Sequence, residues 1–253
     1  YSFKIATIDL AGNTATSTAC SSPAVSVDTT TPDPVASSEW DGSAAYDTDG
    51  NLTVNWTASP SSDVTSYRLE VYSDASCSSI DGTATTVNSS TYTADHTASS
   101  DGDYYFKVIP IDTAGNENVP SGCSITTKIT VDTTAPNAAT SLSWNEGTTH
   151  DSHTINASWT VSSSTDIASQ TLRVHSNSSC SSQEGGDYTF LNNTTNTEAL
   201  TVSSDGTYYF QITTEDIAGN TTNSACSSVV SAYLRTTANT VFETLPGFTR
   251  EGI

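Results

Sequence analysis

Three aspartates open near-identical segments: "IDLAGN" from Ile8, "IDTAGN" from Ile111 and "EDIAGN" from Glu215. A carboxylate set among small residues can do one of three things. It can bind a hard cation with other oxygens, take part in acid–base chemistry, or accept bonds from backbone amides two residues on and so shape a turn. The glycine favours the turn, since it tolerates positive φ without a Cβ clash. Acid–base work lacks the accompanying motifs: the chain has no Gly-x-Ser-x-Gly elbow, no phosphate-cradling glycine loop and no His-Glu-x-x-His. The chain is therefore expected not to be an enzyme.

Other residues with chemical capacity are few. The four histidines include a "HDSH" pair, His150 and His153, which aligns with "DTDG" (residues 47–50) and reads as a loop rather than a metal site. "DTDGN" resembles half a calcium loop without its closing Glu, and is expected to be a hairpin turn. Five cysteines have no Cys-x-x-Cys spacing, which removes zinc and dithiol redox chemistry. Tyr72, Tyr92, Tyr105 and Tyr209 are candidate outward-facing aromatics for a glycan ligand.

Positioning elements come from a long repeat. "YSFKIATIDLAGN" from Tyr1 aligns with "YYFKVIPIDTAGN" from Tyr104 and "YYFQITTEDIAGN" from Tyr208, so Asn13, Asn116 and Asn220 are 103 and 104 residues apart (116 − 13, 220 − 116). Trp40 with Trp144, Trp56 with Trp159, Leu69 with Leu172 and Cys77 with Cys180 keep this offset. A period near 100 residues is the size of a self-sufficient domain rather than a solenoid unit. Alternating apolar runs such as "LTVNWTAS", "YRLEVYS" and "YYFKVIPID" read as strands, and in the last Tyr104, Phe106 and Val108 are expected to face inward with Tyr105, Lys107 and Ile109 outward.

"LTVNWTASPSSDVTSYRLEVYS", "DGDYYFKVIPIDTAGN" and "ITVDTTAP" resemble fibronectin type III and related bacterial immunoglobulin-like modules of large cell-surface proteins. The resemblance implies an all-β chain of tandem seven-stranded sandwiches, with Trp56 and Trp159 on strand B and corner tyrosines Tyr104 and Tyr208 opening strand F. The expected division is residues 1–31 as strands F and G of a truncated module, 32–133 and 134–235 as complete sandwiches, and 236–253 as a tail or the start of another element. In "LRTTANT", Arg235 and Asn239 stand where "VDTTAPN" has aspartate and proline, so no further copy of the module is expected to follow.

In that topology the B–C loop, the F–G loop and the incoming strand share one end. Asp28, Asp63 and Asp112 are expected to converge at one junction, and Asp132, Asp166 and Asp216 at the next. Calcium accepts six to eight such oxygens, so a calcium-stiffened junction is expected, against the alternative that each aspartate caps its own turn. Because a repeated unit should carry its own staple, the expected disulfides are Cys77–Cys123 and Cys180–Cys226, with the partner of Cys20 expected in the missing part of the first module. The rival, Cys20–Cys77 with Cys123–Cys180, would span a linker.

A net charge of −21 with seven Lys and Arg would repel phosphate backbones and anionic headgroups, so nucleic acid and membrane surfaces are not expected as partners, and no apolar run approaches the ~20 residues that cross a bilayer, so membrane insertion of this segment is not expected. Serine- and threonine-rich composition with disulfides points to an extracellular or cell-surface setting, bacterial by resemblance. The expected function is a semi-rigid stalk or adhesin segment that presents a distal module or adheres to a surface protein or glycan, flanked by modules of the same longer chain. The alternatives are accessory carbohydrate-binding modules of a secreted polysaccharide-degrading enzyme, and a subunit of a self-assembling surface fibre.

Overall fold

The computed structural model describes residues 1–123 and 128–233. The chain forms two compact units, Tyr1–Thr133 and Thr134–Ile253. Unit 1 begins with a hairpin of β1 (Ala6–Ile8) and β2 (Thr14–Thr16), followed by β3 (Ser38–Trp40), β4 (Tyr46–Asp47), β5 (Asn51–Trp56), β6 (Val64–Tyr72), β7 (Thr85–Asn88), β8 (Thr93–Thr97), β9 (Gly102–Asp112) and β10 (Ile129–Val131). Two sheets result, ordered β3-β5-β8 and β4-β10-β9-β6-β7. The first strand of the sandwich changes sheets partway. Its β3 half lies antiparallel to β5 and its β4 half parallel to β10, and between them Gly42 and Ser43 both adopt positive φ to turn the corner.

Unit 2 repeats this plan with β11 (Thr140–Trp144), β12 (Thr149–His150), β13 (Thr154–Thr160), β14 (Ile167–His175), β15 (Gln183–Phe190), β16 (Thr197–Thr201), β17 (Gly206–Asp216), β18 (Thr221–Asn223) and β19 (Val230–Ala232). Its sheets are β11-β13-β16 and β12-β19-β17-β14-β15, with β18 also on β17. Leaving the β1–β2 hairpin aside, and counting the split first strand once and β18 with β19 as one, each unit holds among its described residues a seven-stranded sandwich of the fibronectin type III kind.

Period-2 patterning explains the cores. In β5, Leu52, Val54 and Trp56 are buried while Asn51, Thr53 and Asn55 are not. They meet Tyr67, Leu69, Val71, Tyr104, Phe106 and Val108 from the facing sheet. At the centre Trp40 lies edge-on to Phe106 with centroids 4.8 Å apart, and Trp144 repeats the contact with Phe210 at 4.8 Å. Both corner tyrosines are tied back: the Tyr104 hydroxyl donates to the Ser100 carbonyl at 2.6 Å, and that of Tyr208 to Ser204 at 2.8 Å.

Three expectations are corrected. Lys107 and Ile109 do not face solvent, being 8% and 0% exposed. Their register partners on β6 are Glu70 and Arg68, whose long side chains cover the outer face. The Lys107 ammonium lies 5.3 Å from the Tyr72 ring centroid, so its stem is packed and only its charge is polar. Tyr72, which shares the outer face with its register partner Tyr105, is likewise shielded from solvent, at 7% exposed.

The third correction is one of register. Arg235 and Asn239 lie outside the described residues, but the place of Asp132 is held by Tyr233. Val131 pairs with Gly102 and Ala232 with the equivalent Gly206, and the next amides, of Asp132 and Tyr233, donate to Asp47 and His150. From cysteine to strand takes six residues in unit 1 (129 − 123) and four in unit 2 (230 − 226), which shifts the alignment by two.

Candidate functional site

The Asp-x-Ala-Gly-Asn segments are turns. Asp112 Oδ1 accepts the amides of Ala114 and Asn116 at 2.8 Å each, and Gly115 has φ +88°. Asn116 adds what the sequence did not announce: its side-chain amide donates to Asp112 Oδ2 at 2.8 Å, closing the turn as a ring. Asp9 with Asn13 and Asp216 with Asn220 build the same bond at 2.9 and 3.0 Å. Burial pushes the Asp112 carboxyl up, but the Asn116 side chain and the turn amides outweigh it and hold it below the usual carboxylate range.

Around this turn unit 1 gathers three carboxylates. One oxygen each from Asp28, Asp63 and Asp112 lie within 4.8 Å of one another. Oxygens sharing a calcium ion stand at 2.3–2.6 Å from it and hence up to roughly 5 Å apart, so the spacing and the all-oxygen donor set fit that ion. Supporting contacts are polar and join distant parts of the chain: the Asn116 side chain donates to the Asp28 carbonyl at 3.2 Å, Asn118 to the Pro32 carbonyl at 2.7 Å, and the Thr113 amide to the Asp63 carbonyl at 3.0 Å. The turn amides engage both lone pairs of Asp112 Oδ1, and Oδ2 keeps one lone pair beyond its bond from Asn116. Of the second set, Asp132 is the penultimate residue of unit 1, whereas Asp166 and Asp216 belong to unit 2. There the Ile217 amide donates to the Asp166 carbonyl at 2.8 Å, repeating the contact between Thr113 and Asp63.

Both expected cysteine pairs are bonded, Cys77 to Cys123 and Cys180 to Cys226, with Cα separations of 5.6 and 5.9 Å, and Cys20 is free and exposed. The loop after the third strand bends to achieve this. Asp74 accepts the amides of Ser78 and Ser79 at 3.1 and 2.6 Å, while Cys77 takes φ 50° and donates its amide to the Asp74 carbonyl. Asn177 does the same for Cys180, which has φ 49°. The signal was present in the sequence as Asp74 three residues before Cys77 and Asn177 three before Cys180.

One cluster went unnoticed in the sequence. Asp81, His96 and Ser99 meet in unit 1, with His96 Nε2 2.7 Å from Asp81 Oδ2 and the Ser99 hydroxyl 2.5 Å from Asp81 Oδ1. These are the residue types of a hydrolase triad in the wrong order. The serine donates to the carboxylate instead of the imidazole, so no base activates it. Burial raises the Asp81 carboxyl, but the Ser99 and His96 bonds prevail and keep it low.

The aromatic candidates differ in exposure. Tyr72 and Tyr105 are register partners, but Tyr72 is buried, its hydroxyl bonded to Glu70 and its pKa pushed up to about 12 by burial and then by Glu70. Tyr92 is 41% exposed and packs on Tyr67 at 6.0 Å. Tyr209 is half-buried opposite His175 in unit 2.

No family model matches the chain, and no curated protein matches it significantly. Among solved structures, the FN1–FN3 domains of chicken CNTN1 are similar at 14% identity, covering 91% of this chain and 77% of that one, with a TM-score of 0.49. The fibronectin(III)-like modules of Clostridium thermocellum CbhA align at 12% identity over 78% of this chain and 93% of theirs, TM-score 0.45. A run of titin domains aligns at 10% over 76% and 63%, TM-score 0.46. The class of the chain is thus set by its own topology, tandem fibronectin type III-like sandwiches. No helix among the described residues is long and apolar enough to cross a membrane.

Proposed function

We propose that the chain is a non-enzymatic extracellular spacer or adhesin segment that presents a distal module or adheres to a surface. The observation that carries this reading is that several of its charged and polar side chains, among the described residues, bond within their own module. Asp112 holds a turn, Arg68 binds Glu117 through two bonds, His96 and Ser99 both hold Asp81, and Arg173 binds Asp187. Two disulfides support an oxidising compartment. The carbohydrate-binding alternative calls for an aromatic platform, and the burial of Tyr72 weighs against it.

Single-molecule extension tests the mechanical role. Each bridge hides a 46-residue loop, about 160 Å of extended chain, so each oxidised unit should unfold with a step shorter by that length than when reduced. Unfolding without resolvable force peaks in both states would remove the spacer reading.

Within it, the Asp28–Asp63–Asp112 set is proposed to take calcium, and Asp132, Asp166 and Asp216 repeat that residue set in the sequence. Calorimetry with calcium chloride should show heat and a raised melting temperature that Asp63→Asn weakens. No heat and no shift would leave the aspartates as turn formers only.

A further inference from the structure

The hairpin that opens unit 1 leaves one face bare. Tyr1, Phe3 and Ile5 are 84%, 62% and 62% exposed, and Val25 and Val27 are 59% and 60%. An apolar face of this kind is ordinarily covered. The same chain shows twice what covers it.

By repeat register these residues stand where unit 1 has Tyr104, Phe106, Val108, Ile129 and Val131, each at most 4% exposed. Those side chains close on strands of the same module, Phe106 meeting the Trp40 ring at 4.8 Å. Unit 2 repeats the arrangement, with Phe210 against Trp144 at 4.8 Å.

The hairpin is already built in the geometry of a finished module. The Ser21 amide donates to the Phe3 carbonyl at 2.7 Å while its hydroxyl accepts the Phe3 amide at 3.0 Å. In unit 2 Ser227 makes both bonds to Phe210, at 2.9 Å each. Ser17 treats Ile5 in the same way as Ser224 treats Ile212. Cys20 is the third correspondence. It sits 103 residues before Cys123 (123 − 20), which in turn sits 103 before Cys226 (226 − 123). Both later cysteines are bonded to a cysteine after the third strand of their own module, and Cys20 alone is free.

We propose that the Tyr1–Val27 face is a docking surface for one occupant: the first five strands of another copy of this repeat, with tryptophans at the places of Trp40 and Trp56 and a cysteine at the place of Cys77 that bridges to Cys20. The two such halves within this chain are already closed by their own β9 and β17, so the occupant lies outside the described residues. This inference does not rest on the spacer reading.

The probe is the chain's own covering half. Residues 32–103 are copied and joined ahead of Tyr1 of the full chain, which is then compared with the unextended chain by thiol labelling, peptide mapping and hydrogen exchange. The expected result is that Cys20 loses its thiol reactivity, that mapping finds it bridged to the copied Cys77, and that the amides of Phe3 and Ile5 gain about a hundredfold protection. Cys20→Ser should keep most of that protection, and Phe3→Ser with Ile5→Ser should remove it, which separates apolar docking from chance thiol proximity. A reactive Cys20 with unprotected amides in the extended chain would overturn the proposal. So would a disulfide-linked dimer of the unextended chain with a protected hairpin, which would make a second hairpin the occupant.

Discussion

Replacing Cys77 and Cys123 together by serine should destabilise unit 1 chiefly by freeing its unfolded chain. The bridge closes a loop of 46 residues. Loop-closure entropy for that length is about 13.5 cal/mol/K, or about 4 kcal/mol at 25 °C. A compact unfolded ensemble already forfeits part of this, so the measured loss should fall between about 2 and 4 kcal/mol. Urea unfolding of the full chain followed by tryptophan fluorescence is the assay. The transition of unit 1 should move to lower urea and its slope should rise, because an uncrosslinked chain exposes more surface on unfolding. Cys180→Ser with Cys226→Ser opens a loop of equal length and should cost the same. A loss below about 1 kcal/mol for both pairs, with unchanged slopes, would refute the claim that each module is stabilised by its own crosslink.

Two further outcomes are expected. Tyr104→Phe removes a hydroxyl that bonds the Ser100 carbonyl at 2.6 Å, and Tyr208→Phe one that bonds Ser204 at 2.8 Å; each should lower stability by about 1 kcal/mol, seen as a fall in melting temperature of roughly 4–8 °C for that module, and no change in either would sink the corner as a stabilising device. His175 is 4% exposed, and burial, followed by the charge of Arg173, lowers its pKa from 6.5. Its unfolded form therefore binds a proton first as pH falls, so its contribution is complete above pH 6.5 and is lost as pH drops through the folded value. His175→Tyr, which copies Tyr72 of unit 1, should flatten the acid side of the unit 2 stability profile. An unaltered profile would show that His175 titrates alike in both states.

Much of this protein follows from its one-dimensional pattern. Strand alternation, the 103-residue recurrence and the cysteine spacing are local or periodic properties, and each translates directly into a pleat, a module or a crosslink. The turn chemistry of Asp112 is equally local, because its carboxylate reaches amides only two and four residues away. What tertiary structure decided is where an outward-pointing side chain meets another strand. Ile109 and Tyr72 alternate to the outer face but are buried there because Arg68 binds Glu117 from a different segment and Lys107 stacks over the tyrosine. The place of Tyr233 in unit 2 depended on a cysteine-to-strand segment two residues shorter, which sequence alignment spread over the wrong positions. The Asp81–His96–Ser99 contact joins residues 15 and 18 positions apart whose approach is set by the sandwich closing. Periodicity fixes which way a side chain leaves its own strand, whereas burial and pairing depend on what the rest of the chain brings to that place.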